Sequence, residues 1–389
     1  MQADTRRHAH FEELARIAIP DGLSNGVLPA CFLDGIVPSV SSNYVSAALV
    51  GQVWGAGLGI AGLENSGGSK KFTIIQAPPL SENPSTWPSG LSVDAACGVS
   101  GGRVAFATRD SNVTVLLVHN SPAAAKPGWD LDCTIVFEAY VGIVQQMLER
   151  DGVIYGFTKD PIGDRNAFFA VAAKDSANPA VYYYEGMPAE VFFYKGMVDG
   201  DGTDPMMQRR IGFHYEKVYA IEQTGDHALC ASLRSGAVTR VPLSPQGQPS
   251  WSLAIDETLN RAYCAYTPGD DGTYVMPYVV GDSDMRPGGD PIYPDSSTCC
   301  PAVDENLGLL YLLGPERSSP PRPSPVLAID VATNTPLAVD GTPPRGNEFA
   351  ALPSTWADRV NNLYYVSGLR STPGSGSALA IGVYRVSVA

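Results

Sequence analysis

The sequence predicts an all-β chain made of one repeated four-stranded unit, and three observations predict it. The stretch SWSLAIDETLNRAYCAY, Ser250 to Tyr266, is echoed by TCCPAVDENLGLLYLL from Thr298 and by LPSTWADRVNNLYYVS from Leu352. In each copy an Asp (Asp256, Asp304, Asp358) precedes a Tyr (Tyr263, Tyr311, Tyr365) by seven residues. The intervals between the aspartates are 48 and 54 residues, the length of four short strands with their turns. Finally, 40 Gly, 32 Pro and 18 Tyr with only 17% charged residues favour short strands and turns over long helices. Units of this size that close on themselves form a β-propeller, and residues 1–389 are expected to make one such domain.

The units follow one another along the chain. The first and least regular runs from Val27 to about Leu80 and uses a glycine-rich stretch and KFTIIQAPP. Strand pairs then recur at RVAFAT with NVTVLLV, at GVIYGFT with AFFAVAA, and at KVYAIEQ with HALCASL, each with a polar or Gly-rich turn. From Ser250, WSLAID reads as an inner strand, RAYCAY as the second, TYVMPYVV as the third, and the piece near Ile292 as a weak outer edge. The next unit supplies CCPAVD, LLYLL and VLAIDV. The last ends at LAIGVYRVSVA with no residues left for an outer strand, whereas FEELARIAIP precedes the first unit. Pairing these two ends closes the ring and removes an open edge. The expected count is seven blades, with six plus an N-terminal extension as the alternative.

The repeated Asp and Tyr read as blade scaffolding, because catalytic groups rarely recur once per repeat. An Asp at the turn between first and second strands accepts backbone hydrogen bonds, and a Tyr on the second strand buries its ring between blades.

Composition also excludes partners. Twenty-six Lys plus Arg against forty Asp plus Glu leave a net charge of −14, which repels a phosphate backbone, so no nucleic-acid partner is expected. Tyr44 to Leu63 is twenty residues without a charge, long enough to span a bilayer. Its glycines (Gly51, Gly55, Gly57, Gly59, Gly62) make a poor helix, so buried strands are expected and no membrane span. The first twenty residues lack the continuous apolar core of a signal peptide. Seven Cys, two of them adjacent at Cys299 and Cys300, are buried thiols or one to three disulfides. With the sequon at Asn112, Val113 and Thr114, the acidic, Lys-poor composition favours the secretory pathway over the cytoplasm.

A propeller places its ligand site where the starts of the inner strands converge, and the residues there differ from unit to unit. They include Glu138 and Tyr140, Arg209 and Arg210, Trp251, Ser297 and Thr298, and Asn347, Glu348 and Phe349. In QRRIGFHYEK, a strand would put Arg210, His214 and Glu216 on one face: a cation, a proton carrier and a carboxylate. The plain alternative for His214 is a satisfied histidine beside a surface ion pair. Arg210 suits the orientation of a phenolate or carbonyl oxygen. Glu348 precedes an apolar strand and would serve as acid or base if desolvated, or else is a loop acid. Trp251 and Phe349 would wall a ligand, with Asn347 and Ser297 as polar contacts, although blade packing also explains a tryptophan. Asp199, Asp201 and Asp204 in VDGDGTDP resemble a calcium loop without the glutamate at the twelfth position, and a solvated acidic turn is the simpler reading, so no metal is assigned.

The chain has no GxSxG elbow, HExxH pair or GxxxxGK[ST] loop, and its GAGLGIAG lacks a βαβ setting, which disfavours nucleotide-dependent and nicotinamide chemistry. With its loosely repeated blades, acidic balance and CFLDGIVPS region at Cys31 to Ser39, the chain resembles fungal propeller enzymes of natural-product pathways, the hetero-Diels-Alderases of tropolonic sesquiterpenoid biosynthesis. The resemblance is general, extends over most of the chain, and carries over no catalytic residue. It implies dehydration of a hydroxymethyl tropolone or phenol to a quinone methide, followed by cycloaddition with a terpene alkene, a lyase- or cyclase-type reaction on small hydrophobic substrates. Such chemistry needs no redox cofactor: an acid (Glu348, His214 or Tyr140), a donor to the oxygen (Arg210) and apolar walls (Trp251, Phe349) suffice. The alternatives are a carbohydrate-binding lectin, which would repeat its binding residues in every blade, a calcium-assisted lactonase, and a scaffold for protein partners.

Overall fold

A computed structural model describes residues 7–18, 27–32, 43–53, 57–66, 72–76, 92–100, 103–109, 113–121, 128–138, 141–160, 166–184, 211–222, 225–244, 250–266, 273–282, 284–294, 299–314, 326–346, 350–358, 363–372 and 376–389. Among them, strand β1 (His8–Ala18) is followed by six four-stranded antiparallel sheets in chain order. The first holds β2 (Val27–Phe32), β3 (Asn43–Val53), β4 (Gly57–Ser66) and β5 (Phe72–Gln76). The second holds β6 (Ser92–Val99), β7 (Arg103–Arg109), β8 (Val113–Ser121) and β9 (Gly128–Val136), and the third β10 (Ile143–Arg150), β11 (Val153–Lys159), β12 (Asn166–Ala172) and β13 (Ala180–Tyr184). The fourth holds β14 (Ile211–His214), β15 (Lys217–Ile221), β16 (His227–Ser232) and β17 (Val238–Pro242). The fifth holds β18 (Ser250–Asp256), β19 (Arg261–Tyr266), β20 (Tyr274–Val280) and β21 (Met285–Pro287), and the sixth β22 (Cys300–Asp304), β23 (Leu309–Leu313), β24 (Leu327–Asp330) and β25 (Thr335–Pro336).

The seventh sheet draws on both chain ends. Strands β26 (Ala338–Gly341), β27 (Ala350–Asp358), β28 (Leu363–Thr372) and β29 (Gly376–Val388) combine with β1 in the order β26-β1-β29-β28-β27. β1 runs antiparallel to β29 from Ala9 opposite Val388 to Ala18 opposite Ala380, and parallel to β26. First strands of successive sheets lie against one another, β2 on β6, then β10, β14, β18, β22 and β27.

Sheets stacked face to face bury both sides of their middle strands, which therefore read as apolar runs without alternation. Ala262 to Tyr266 of β19 and Leu309 to Leu313 of β23 are buried throughout, whereas three of the five residues of outer strand β17 are exposed. Alternate side chains serve opposite neighbours. Ala262 and Cys264 pack toward Tyr219 and Ile221 of the fourth sheet, while Tyr263 and Ala265 pack toward Leu310 and Leu312 of the sixth.

The repeated pattern has one register. Asp256 lies opposite Arg261, Asp304 opposite Leu309 and Asp358 opposite Leu363, and two residues upstream Ala254, Ala302 and Trp356 face Tyr263, Tyr311 and Tyr365. The Asp256 Oδ1 accepts from Thr258 Oγ1 at 2.6 Å and Leu259 N at 2.9 Å, and the Asp304 Oδ1 accepts from the amides of Asn306 at 3.0 Å and Leu307 at 3.1 Å. Each turn then passes through a left-handed residue, Asn260 (φ 53°) or Gly308 (φ 64°), which Asn and Gly tolerate best. A further copy joins β24 to β25. There Asp330 Oδ1 accepts from Thr333 N at 3.0 Å, Asn334 has φ 57°, and Asp330 faces Thr335.

The structure corrects some of these expectations and meets others. The outer strand of the fifth sheet is Met285–Pro287, and Ile292 makes only an isolated bridge to Val275. β14 ends at His214, and Tyr215 and Glu216 form the following turn with Tyr215 at φ 51°, so Glu216 does not continue the strand face of His214. The uncharged stretch forms the β3–β4 hairpin, Val53 facing Gly57, and no helix among the described residues is long and apolar enough to cross a membrane. Cys133, Cys230 and Cys264 are buried free thiols. Asn112 of the sequon lies outside the described residues.

Candidate functional site

Each four-stranded sheet has a mouth end, where its first strand begins and its second and third strands are joined, and an opposite end that carries the turn from first to second strand. The opposite end is latched between sheets. Arg150, at the end of β10, donates to both carboxylate oxygens of Glu257 at 2.8 Å and to the Tyr215 carbonyl at 2.6 Å, and its guanidinium lies 4.0 Å from the Phe213 ring centre. The Glu257 amide donates to Glu305 Oε1 at 2.7 Å, so this lattice crosses from the third sheet to the sixth. Arg7, ahead of β1, pairs with Asp330 and donates to the Leu307 carbonyl at 3.2 Å.

His214 belongs to this latched end. It is 5% exposed, its Nε2 lies 2.9 Å from Asn260 Oδ1, and its ring meets Tyr219 edge-on. The satisfied-histidine reading therefore describes it, and β14 separates it from the mouth.

At the mouth, Ser250, Tyr266 and Tyr274 form one row across the fifth sheet. Tyr266 stacks on Tyr274 with centroids 5.4 Å apart, and Tyr274 lies against Tyr293, which is 70% exposed. Inward, the Tyr266 and Tyr278 hydroxyls are 2.7 Å apart and Tyr278 donates to the Ser244 carbonyl at 2.8 Å. Burial raises the Tyr274 phenol to about 12 and pushes Tyr266 and Tyr278 higher still, so all three remain neutral hydrogen-bonding groups at ordinary pH.

The mouth of the fourth sheet carries a cluster that the sequence analysis missed. Glu222, 1% exposed, follows β15 and receives two bonds from Arg240 of β17, Nε to Oε1 at 2.6 Å and Nη2 to Oε2 at 2.8 Å. His227 opens β16, and its Nδ1 lies 3.6 Å from Glu222 Oε2. Tyr184, the last residue of β13, is 9% exposed, and burial first, then the Glu222 charge, raises its phenol. The signal was present in YAIEQTGDHAL as an acid and a histidine flanking one turn, but neither recurs in the other units.

Of the residues chosen from sequence, Trp251 is the second residue of β18 and so lies at the mouth end, with its side chain outside the described set. Glu138 is exposed just beyond β9. Tyr140, Arg209, Arg210, Ser297, Asn347, Glu348 and Phe349 lie outside the described residues, as do Asp199, Asp201 and Asp204. Among the described residues no group of three or more His, Cys, Asp or Glu is arranged to hold a metal ion.

No family model and no curated protein matches the chain. Solved structures do resemble it. The WD40 domain of coronin from Toxoplasma gondii aligns with 98% of this chain and 86% of that one at 12% identity, with a TM-score of 0.53. The pyrroloquinoline-quinone-bound aldose sugar dehydrogenase of Streptomyces coelicolor aligns with 97% and 98% at 12% identity, with a TM-score of 0.44. A candidate 6-phosphogluconolactonase of Bacteroides uniformis aligns with 86% and 95% at 12% identity, with a TM-score of 0.47. The successive four-stranded sheets and the likeness to the coronin domain define the fold as a β-propeller.

Proposed function

We propose that the chain is a closed seven-bladed propeller, with β1 as the fourth strand of its last blade, and that its mouth holds a single asymmetric site for small hydrophobic molecules. One observation carries this reading: the residues that repeat from unit to unit are consumed by the scaffold. The side chains of Asp256, Asp304 and Asp330 each tie a turn, and Tyr263 and Tyr311 are buried between sheets. What is left at the mouth differs between blades, as expected of one central site and not of a lectin with a binding site per blade.

In the form implied by the sequence resemblance, the site dehydrates a hydroxymethyl tropolone or phenol to a quinone methide and holds it against a terpene alkene for a hetero-Diels-Alder cycloaddition. Arg210 would polarise the ring oxygen, Glu348 or Tyr140 would assist loss of water, and Trp251, Phe349, Asn347 and Ser297 would orient the two partners. His214 is not retained in the acid role, because it lies at the far end of β14 and is bonded to Asn260.

The test is product analysis of the purified protein with a hydroxymethyl tropolone and a humulene-type alkene, with and without chelator. A chelator-insensitive adduct, lighter than the summed reactants by one water and enriched in one stereoisomer over the no-protein control, supports the reading. Absence of adduct together with turnover of a lactone panel, lost on chelation, replaces it with a lactonase. Glycan binding without turnover replaces it with a lectin.

A further inference from the structure

The cluster at the mouth of the fourth sheet has more polar groups than a structural ion pair needs. A tight turn brings its members together: the Glu222 amide donates to the His227 carbonyl at 3.0 Å, and the Gly225 amide to the Glu222 carbonyl at 3.0 Å. Arg240 occupies both oxygens of the nearly inaccessible Glu222 carboxylate, which offsets the cost of burying that charge. That pair is complete in itself. Yet two further polar atoms have been drawn in without hydrogen-bond partners, the Nδ1 of His227 and the hydroxyl of Tyr184 from the adjoining sheet. The His227 side chain is 26% exposed although its Nδ1 is buried, so the ring turns one nitrogen toward Glu222 and reaches solvent elsewhere.

A buried carboxylate behind one nitrogen of a partly exposed imidazole is the arrangement that fixes a histidine tautomer and steadies its protonated form. The gap of 3.6 Å is longer than a hydrogen bond and closes with a small ring rotation, as is common in unliganded sites. We propose that His227 is a general base and acid at the mouth, with Glu222 as its positioning residue and Arg240 fixing the Glu222 carboxylate through both its oxygens. The other titratable neighbours are Asp226, which precedes His227 and acts on Arg240, and Tyr184, which feels the charge of Glu222.

The proposal rests on the dehydration reading for its substrate. With Nδ1–H directed at Glu222, the Nε2 lone pair accepts the proton of the tropolone or phenol O–H. The ring electrons then expel the hydroxymethyl oxygen with its bonding pair, and the imidazolium gives the same proton to that oxygen, taking the acid role otherwise open to Glu348 or Tyr140. Water leaves, the quinone methide remains, and His227 returns to its neutral state, so no oxidant or reductant is consumed.

The experiment combines a spectroscopic and a kinetic readout on the full chain. Nitrogen-15 NMR of histidine-labelled protein is expected to show the Nδ1–H tautomer at His227, and Glu222→Gln is expected to raise the share of the other tautomer. With the hydroxymethyl tropolone as probe, His227→Gln is expected to lower kcat by about a hundredfold or more, and to do so without a matching loss of melting temperature. Glu222→Gln is expected to displace the acid limb of the pH–rate profile. An Nε2–H tautomer, or one indifferent to Glu222→Gln, overturns the pair whether or not the probe reacts. If wild type makes product and His227→Gln keeps more than half its rate, the pair is overturned while the dehydration reading stands. If wild type makes no product but the tautomer responds to Glu222, the dehydration reading fails and the pair survives.

Discussion

Replacing Tyr311 by Ala tests whether the repeated tyrosine holds neighbouring sheets together. Tyr311 is 0% exposed, and its ring lies 4.6 Å from Tyr364 of β28 and 5.8 Å, edge-on, from Phe11 of β1. Truncating a buried aromatic costs about 3–5 kcal/mol in transfer and cavity terms, and each aromatic pair contributes about 0.5–1.5 kcal/mol beyond burial. The expected loss is therefore about 4 kcal/mol. A chain of 389 residues that melts as one unit has an unfolding entropy near 0.8 kcal/mol/K, so Tm should fall by about 5 °C. Calorimetry and denaturant titration would measure it, with Tyr311→Phe as a partner that keeps the ring and should stay within about 1 kcal/mol of wild type, since the buried hydroxyl makes no hydrogen bond. Tyr293→Ala, at an exposed position, should stay within about 0.5 kcal/mol of wild type. A Tyr311→Ala protein melting within about 1 °C of wild type, or no less stable than Tyr311→Phe, would refute the scaffold argument.

Other outcomes follow from the same packing. Burial raises the phenols of Tyr263, Tyr274, Tyr278 and Tyr311, with Tyr274 near 12, whereas unfolded tyrosine titrates near 10. Above about pH 10 the unfolded chain thus binds fewer protons than the folded one. The stabilisation is whole below pH 10 and is lost as pH rises through the folded values, so tyrosinate absorbance should appear together with unfolding. Cys133, Cys230 and Cys264 are buried, and burial raises their thiols, so a thiol reagent should label them only when denaturant is added. Gly236→Ala should cost about 1–3 kcal/mol in melting experiments, because φ is +70° and a Cβ would lie 2.2 Å from the Tyr182 ring. Adding Tyr182→Ala should relieve the clash but not the backbone strain. Arg150→Ala should lose about 1–2 kcal/mol, moderated by the partial exposure of the Arg150–Glu257 pair.

The sheet repeat was legible because packing on both faces writes itself into the sequence. RAYCAY and LLYLL are buried on either side, and the Asp and Tyr around them must keep one register. The outer strands left little trace, since Met285–Pro287 and Thr335–Pro336 lie at sheet edges where few contacts constrain residue type. The Asp330 turn escaped notice because the position seven residues on is Leu337, not a Tyr. Glu216 is expected on the strand face of His214 only if strand periodicity carries through Tyr215, where the chain in fact turns with φ 51°, and His214 itself closes β14 at the end away from the mouth. Glu222 and His227 stand on opposite sides of a turn with no counterpart in other units. Only the meeting of β13, β15, β16 and β17 shows that their neighbours are Arg240 and Tyr184.

The pairing of β1 with β29 also has a bearing on how the molecule comes into being. Its partners are separated by nearly the whole length of the chain, with Arg385 opposite Glu12 and Phe11 opposite Val386. During synthesis β1 leaves the ribosome before the other six sheets and waits for β29, so the seventh sheet is assembled after those six have had the opportunity to form. His8 and Ala389 exchange backbone hydrogen bonds, each amide donating to the other's carbonyl at 3.1 Å. A circular permutant joined there by a short linker and opened between two other sheets should fold to the same structure, with β1 made immediately after the strand it needs.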